Sequence, residues 1–148
     1  MITLLTKLKD LDIGWNEHPL DEDDFYRICE RFGVCVDELP MRVGGFYFRI
    51  KGHDHIAINS TLPPVEKLFV MFHELGHFLF HAPGFDTMAK FHSVGGRSRA
   101  ESEADLFAAC ALIPRPRLTS LTPEELIADG ADQDIIARRI EAFECFGI

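Results

Sequence analysis

The stretch LFVMFHELGHFLFH, residues 68–81, constrains this chain more than any other. It sets His73, Glu74 and His77, an H-E-x-x-H pattern, in an otherwise almost wholly apolar run. Apolar residues on every side predict a helix inside a core, where polar groups need partners. On a helix, residues four apart share a face one turn above another. His73 and His77 can therefore present two imidazoles to one metal ion, with Glu74 in reach of a water on that metal. The same pattern arising by chance gives solvated surface histidines; these flanks argue against that. Gly76 costs about 1 kcal/mol in a helix interior relative to alanine. Its expected use is close approach of another backbone, an edge strand or a substrate.

At 148 residues the chain is expected to form one domain, 1–148, with a small C-terminal helical subregion over 118–148. Hydrophobic residues at 47% and charged residues at 26% describe a soluble globular protein. The formal net charge of -9 argues against phosphate-driven nucleic-acid binding. Cys29, Cys35, Cys110 and Cys145 are scattered without a C-x-x-C pair, and read as reduced, mostly buried thiols of a cytoplasmic protein. The first residues lack a signal peptide's apolar region, and the apolar run around the motif is too short and too charged for a membrane span.

A short amphipathic helix is expected over 3–11, with Leu4, Leu5, Leu8 and Leu11 on one face. Asp21 is the expected N-cap of a second helix, whose first turn holds Glu22, Asp23 and Asp24, whose apolar stripe is Phe25, Ile28, Cys29 and Phe32, and whose end is Gly33. Residues 34–36 read as a short strand. Residues 44–50 and 55–59, around a turn at 52–54, read as two more, forming a small antiparallel sheet on the motif helix. An edge strand beside a metal can bind an extended peptide by strand addition, and 47–50 or 56–59 are the candidates. Ser60, Thr61, Pro63, Pro64 and Glu66 resemble a capped start to the motif helix. A loop over 84–99 follows, then a buried helix over 100–113 and two or three short helices, of which 132–143 is the clearest. The fold class is α+β and zincin-like.

Two imidazoles leave a tetrahedral site incomplete. A histidine six residues after His77 is absent, since Pro83 stands there, so the third protein ligand is expected to be a glutamate from the next helix. Glu101 and Glu103 are the candidates and point to nearly opposite sides. Glu101 shares a face with Asp105, which allows Glu101 to bind the ion while Asp105 accepts a hydrogen bond from the outer nitrogen of a ligand histidine. Glu101 is preferred, with Glu103 as the fallback. His81 is expected to cap the motif helix. His92, Tyr47 or an arginine are candidate donors to an oxyanion.

These parts suit amide hydrolysis: the metal activates water and polarises the carbonyl, and Glu74 serves as general base and then acid. Zinc is the expected ion, although manganese and iron(II) suit the same donors. Two readings compete with a peptidase. One is a metal-stabilised interaction module, such as half of a toxin-antitoxin pair, for which Glu74 would have no use. The other is a non-haem iron oxygenase, against which the helical spacing and adjacent base argue.

The segments IAINSTLPPVEKLFVMFHELGHFLFH and ESEADLFAACALIP, with the ending ARRIEAFECFGI, resemble the ImmA/IrrE zinc metallo-endopeptidases over most of the chain. By position, the family's ligands fall on His73, His77 and Glu101, and its catalytic glutamate on Glu74. The resemblance implies a cytoplasmic regulatory protease of the kind found in prophages, mobile elements or toxin-antitoxin pairs. It also implies a separate protein partner and substrate, a helix-turn-helix repressor or antitoxin-like regulator. Ile113 departs from the family's usual methionine before the proline, a conservative packing change.

Overall fold

The computed structural model describes residues 2–81 and 98–148. Among the described residues ten elements follow one another: α1 (Ile2–Leu11), α2 (Glu22–Phe32), β1 (Cys35–Leu39), β2 (Gly45–Ile50), β3 (His53–Asn59), α3 (Pro64–His81), α4 (Arg99–Leu112), α5 (Arg115–Ser120), α6 (Pro123–Ala128) and α7 (Gln133–Phe146). The class is α+β, as expected. Most of the expected long loop lies outside the described residues. Among those described, no helix is long and apolar enough to cross a membrane.

Local chemistry accounts for several boundaries. Asp21 and Asp24 form a reciprocal capping box at the start of α2, and Gly33 ends it in the left-handed conformation at φ 72°. Phe25, Ile28 and Cys29 make its buried stripe. The β2–β3 hairpin turns one residue earlier than expected, on Lys51 and Gly52, whose positive φ values of 49° and 79° match the turn that fits the twist of paired strands. The segment before α3 is organised by Asn59, whose Oδ1 accepts from the backbone of Met41 and Thr61 and from the Thr61 hydroxyl. Ser60 and Thr61 thus belong to a turn held by Asn59, and the helix opens on Pro64.

The sheet has the order β1-β3-β2. β2 and β3 are antiparallel, but β1 joins β3 in parallel, from Cys35 opposite His55 to Leu39 opposite Asn59. The sheet is therefore mixed where an antiparallel one was expected, because the chain returns through β2 and enters β3 in the same direction as β1. The order also decides between the two candidate edges. Residues 56–59 lie in the central strand, hydrogen-bonded on both sides, whereas 47–50 lie on an outer strand.

The principal core gathers Phe25 and Ile28 of α2, Ile56 and Ile58 of β3, Met71, Phe72 and Leu75 of α3, and Phe107 and Ala108 of α4, with Leu4 and Leu8 of α1 beneath. α3 makes its most extensive contacts with α4. At Gly76 a Cβ would stand 3.3 Å from the Ala104 Cα and 3.2 Å from a Phe107 ring carbon. The close approach foreseen at Gly76 is thus made by a helix, not by a strand or substrate, and the small residues Ala104, Ala108 and Ala111 line the fully buried side of α4. A second cluster joins Ile113 to Leu126 of α6 and Ile135 and Ile136 of α7.

Polar anchors tie the termini to this core. Lys7 donates to the Leu79 carbonyl at 2.6 Å, taking a place at the α3 terminus where His81 was expected. Arg139 of α7 is fully buried and donates to the Ile113 carbonyl at 2.5 Å and to Asn16 Oδ1 at 3.1 Å. Of the four thiols only Cys29 and Cys110 are buried; Cys35 and Cys145 are exposed. Burial raises both buried thiols to about 12.

The α3–α4 crossing has no room for a branched side chain at position 76. Gly76→Val is expected to lower stability by about 1–3 kcal/mol, the usual cost of overpacking, read as a lower midpoint in urea unfolding.

Candidate metal centre

α3 projects His73 and His77 from one face, and α4 brings Glu101 up against both. His77 Nε2 lies 3.2 Å from His73 Nε2. Glu101 spans the pair, with Oε2 at 3.1 Å from His73 Nε2 and Oε1 at 3.0 Å from His77 Nε2. Glu103 is turned away to an ion pair with Arg99 at 3.2 Å. The structure thus gathers Glu101, not Glu103, with the two histidines.

The outer ring nitrogens are also engaged. His73 Nδ1 lies 2.8 Å from Asp105 Oδ1. An ionised carboxylate only accepts, so this contact puts a ring proton on Nδ1, while Nε2 faces Glu101 and His77. His77 Nδ1 lies 3.0 Å from His81 Nδ1. His81 is thus turned toward the centre, one helical turn beyond His77 on the same stripe; that spacing was the signal available in the sequence.

Glu74 is 7% exposed and faces the sheet. Burial pushes its carboxyl up from the ordinary glutamate range, against the pull of the His73 and His77 rings and of a hydrogen bond from the Tyr47 backbone N–H. Gly45 permits this contact: a Cβ there would lie 3.4 Å from the Glu74 Cγ and 2.8 Å from the Ala57 carbonyl oxygen. Tyr47 therefore meets Glu74 through its backbone, while its hydroxyl donates to Asp54 at 2.5 Å. Burial and that carboxylate push the phenol up from its ordinary value. His92 lies outside the described residues.

The donor set fits a tetrahedral cation. Zinc bonds of about 2.0–2.2 Å place donor atoms about 3.3–3.5 Å apart, close to the spacings found here. One ligand atom from each of His73, His77 and Glu101 lies within 4.8 Å of the others. Hydrogen bonds from both imidazoles hold the Glu101 carboxyl well below the usual carboxylate range, so it stays ionised beside them.

A mixed sheet under a helix bearing H-E-x-x-H, with a glutamate supplied by the next helix, is a zincin-like arrangement. Residues 29–129 match the family model of the IrrE N-terminal-like domain, a peptidase family. The chain belongs to this ImmA/IrrE family. It is also 37% identical over 76 residues to the "Uncharacterized immunity region protein 2" of Bacillus phage phi105, a match covering 51% of this chain and 48% of that protein. The chain thus spans about half the length of this relative.

Burial opposes the charged form of the His73 ring, but the Asp105 and Glu101 carboxylates outweigh it and raise its pKa from 6.5 to about 9. A histidine shifted upward on folding stabilises the fold fully below its unfolded pKa, and the contribution is lost as pH rises through the folded value. Chelator-treated wild type is expected to unfold at progressively lower urea concentrations as pH rises from 6.5 to 9. His73→Gln under chelation should show a shallower decline over the same window.

Proposed function

We propose that this chain is a zinc-dependent endopeptidase that hydrolyses a peptide bond in a specific regulatory protein, with His73, His77 and Glu101 as ligands and Glu74 as the catalytic base. The observation that carries this reading is the convergence of the three donor atoms within 4.8 Å, beside a buried glutamate aimed by the backbone of an outer strand. A structural metal site has no need of that glutamate.

A zinc ion held by these residues would lower the pKa of water toward 7 and polarise the scissile carbonyl. Glu74 takes the proton of the attacking water and delivers it to the leaving amine. Its burial raises its affinity for that proton, which suits a group that must hold one between two steps. Asp105 keeps the His73 ring in its ligating tautomer. The substrate lies extended along β2, which pairs with β3 on one side only among the described strands, and gains main-chain hydrogen bonds by strand addition.

The regulatory setting is supported by the family and by the phage relative, whose name places it in an immunity region. On this reading the substrate and partner is a helix-turn-helix repressor or an antitoxin-like protein, met in the cytoplasm.

Glu74→Gln is expected to retain about one zinc per chain and to lose cleavage by about 10²–10⁴-fold, the usual contribution of a general acid-base group. His73→Ala and Glu101→Ala should lose zinc, and Glu103→Ala should keep it, by elemental analysis of purified protein. Undiminished cleavage by Glu74→Gln would overturn the proposed chemistry and favour a metal-stabilised binding module.

A further inference from the structure

We propose that Arg138, on α7, is a positioning residue for the metal centre: by gripping Asp105 it fixes the orientation of His73 and thereby sets the affinity for a divalent cation. The inference rests on the metallopeptidase reading above. It assigns part of the centre to the C-terminal helices, which the sequence alone offers only as a cover for the core or a partner surface.

Asp105 is 4% exposed, and its two oxygens contact different groups. Oδ1 meets His73 Nδ1 at 2.8 Å, and Oδ2 accepts from Arg138 Nη1 at 2.5 Å. The last torsion of an aspartate is broad, so each contact to one of its oxygens restricts the carboxylate plane. A charge-assisted bond to the second oxygen sets that plane and keeps Oδ1 directed at the imidazole. The His73 ring, held at Nδ1, then presents Nε2 to Glu101 and His77.

Arg138 is itself well anchored. Its neighbour Arg139 is fully buried and joins α7 to the end of α4 and to the α1–α2 connection, through the Ile113 carbonyl and Asn16. That anchor lies one residue away on the same helix, so it restricts where the Arg138 backbone can stand. A buried carboxylate shared by a ligand histidine and an arginine thus spans α3, α4 and α7.

The Arg138 side chain is 36% exposed, so truncating it opens no sealed cavity. The test is the zinc dissociation constant, by competition with a chromophoric chelator, for wild type, Arg138→Ala, Arg138→Lys, Asp105→Asn and Arg138→Ala/Asp105→Asn. Urea unfolding of each metal-free protein runs in parallel. We expect Arg138→Ala to weaken zinc binding about tenfold, the lower end of the effect of residues that hold a ligand in place, and to lower the metal-free unfolding midpoint because a buried carboxylate loses a partner. Arg138→Lys should recover part of that loss, and the double variant should bind no more weakly than Asp105→Asn. Zinc affinity unchanged in Arg138→Ala, or a tenfold loss repeated on the Asp105→Asn background, would overturn the inference while leaving the peptidase reading intact. Wild type that binds no zinc would remove the peptidase reading and this inference together.

Discussion

The close crossing of α3 and α4 at Gly76 is the constraint on which the centre depends. Two histidines four apart on a helix need only local geometry to share a face. Bringing Glu101 across to contact both at 3.0 and 3.1 Å requires the second backbone to come unusually near. The absent side chain at Gly76 and the methyl side chains of Ala104 and Ala108 permit that approach. The helical cost of a glycine, about 1 kcal/mol relative to alanine, is offset by the packing it allows. The core around Phe72 and Phe107 then holds the crossing in place.

Around this crossing, the polar groups of the centre are engaged with one another or with the backbone. Glu101 faces two imidazoles, His73 faces Asp105, His77 faces His81, and Glu74 takes a backbone N–H from the outer strand. Such a set is costly to bury unless it is satisfied. Satisfied, it holds two ring nitrogens and a carboxylate in a geometry that a small cation completes. The sheet contributes more than support, because β2 stands next to Glu74 and its Tyr47 backbone aims the carboxylate. The terminal helices reach the same group from the other side through Arg138 and Asp105.

Much of this was legible in the sequence, and the reasons are local. The α2 caps Asp21 and Gly33 act within a few residues of themselves. The choice of Glu101 over Glu103 follows from helical phase, since Glu101 and Asp105 share a face and Glu103 does not. Strand order was not legible: residues 56–59 have the alternation of a half-buried strand whether they lie at the centre or the edge, and only pairing with β1 puts them in the middle. Gly76 signalled a close approach without saying to what. Arg138 and Arg139 look alike in the sequence, as adjacent charges on an amphipathic helix. One is buried against a carbonyl and the other turns to Asp105, because successive helical residues point about 100° apart.

By itself the sequence determined the elements whose causes lie within a turn or two of chain: the motif helix with its paired imidazoles, the acid-capped α2, the hairpin and the family signature. The tertiary structure alone decided which of the described strands lies outermost beside the centre, which helix passes Gly76, and how α7 reaches Asp105 from 33 residues away. The division is physical. Periodicity and capping are fixed by backbone geometry over a few residues, whereas register, crossing and long-range ion pairs are fixed by which apolar faces can be buried together.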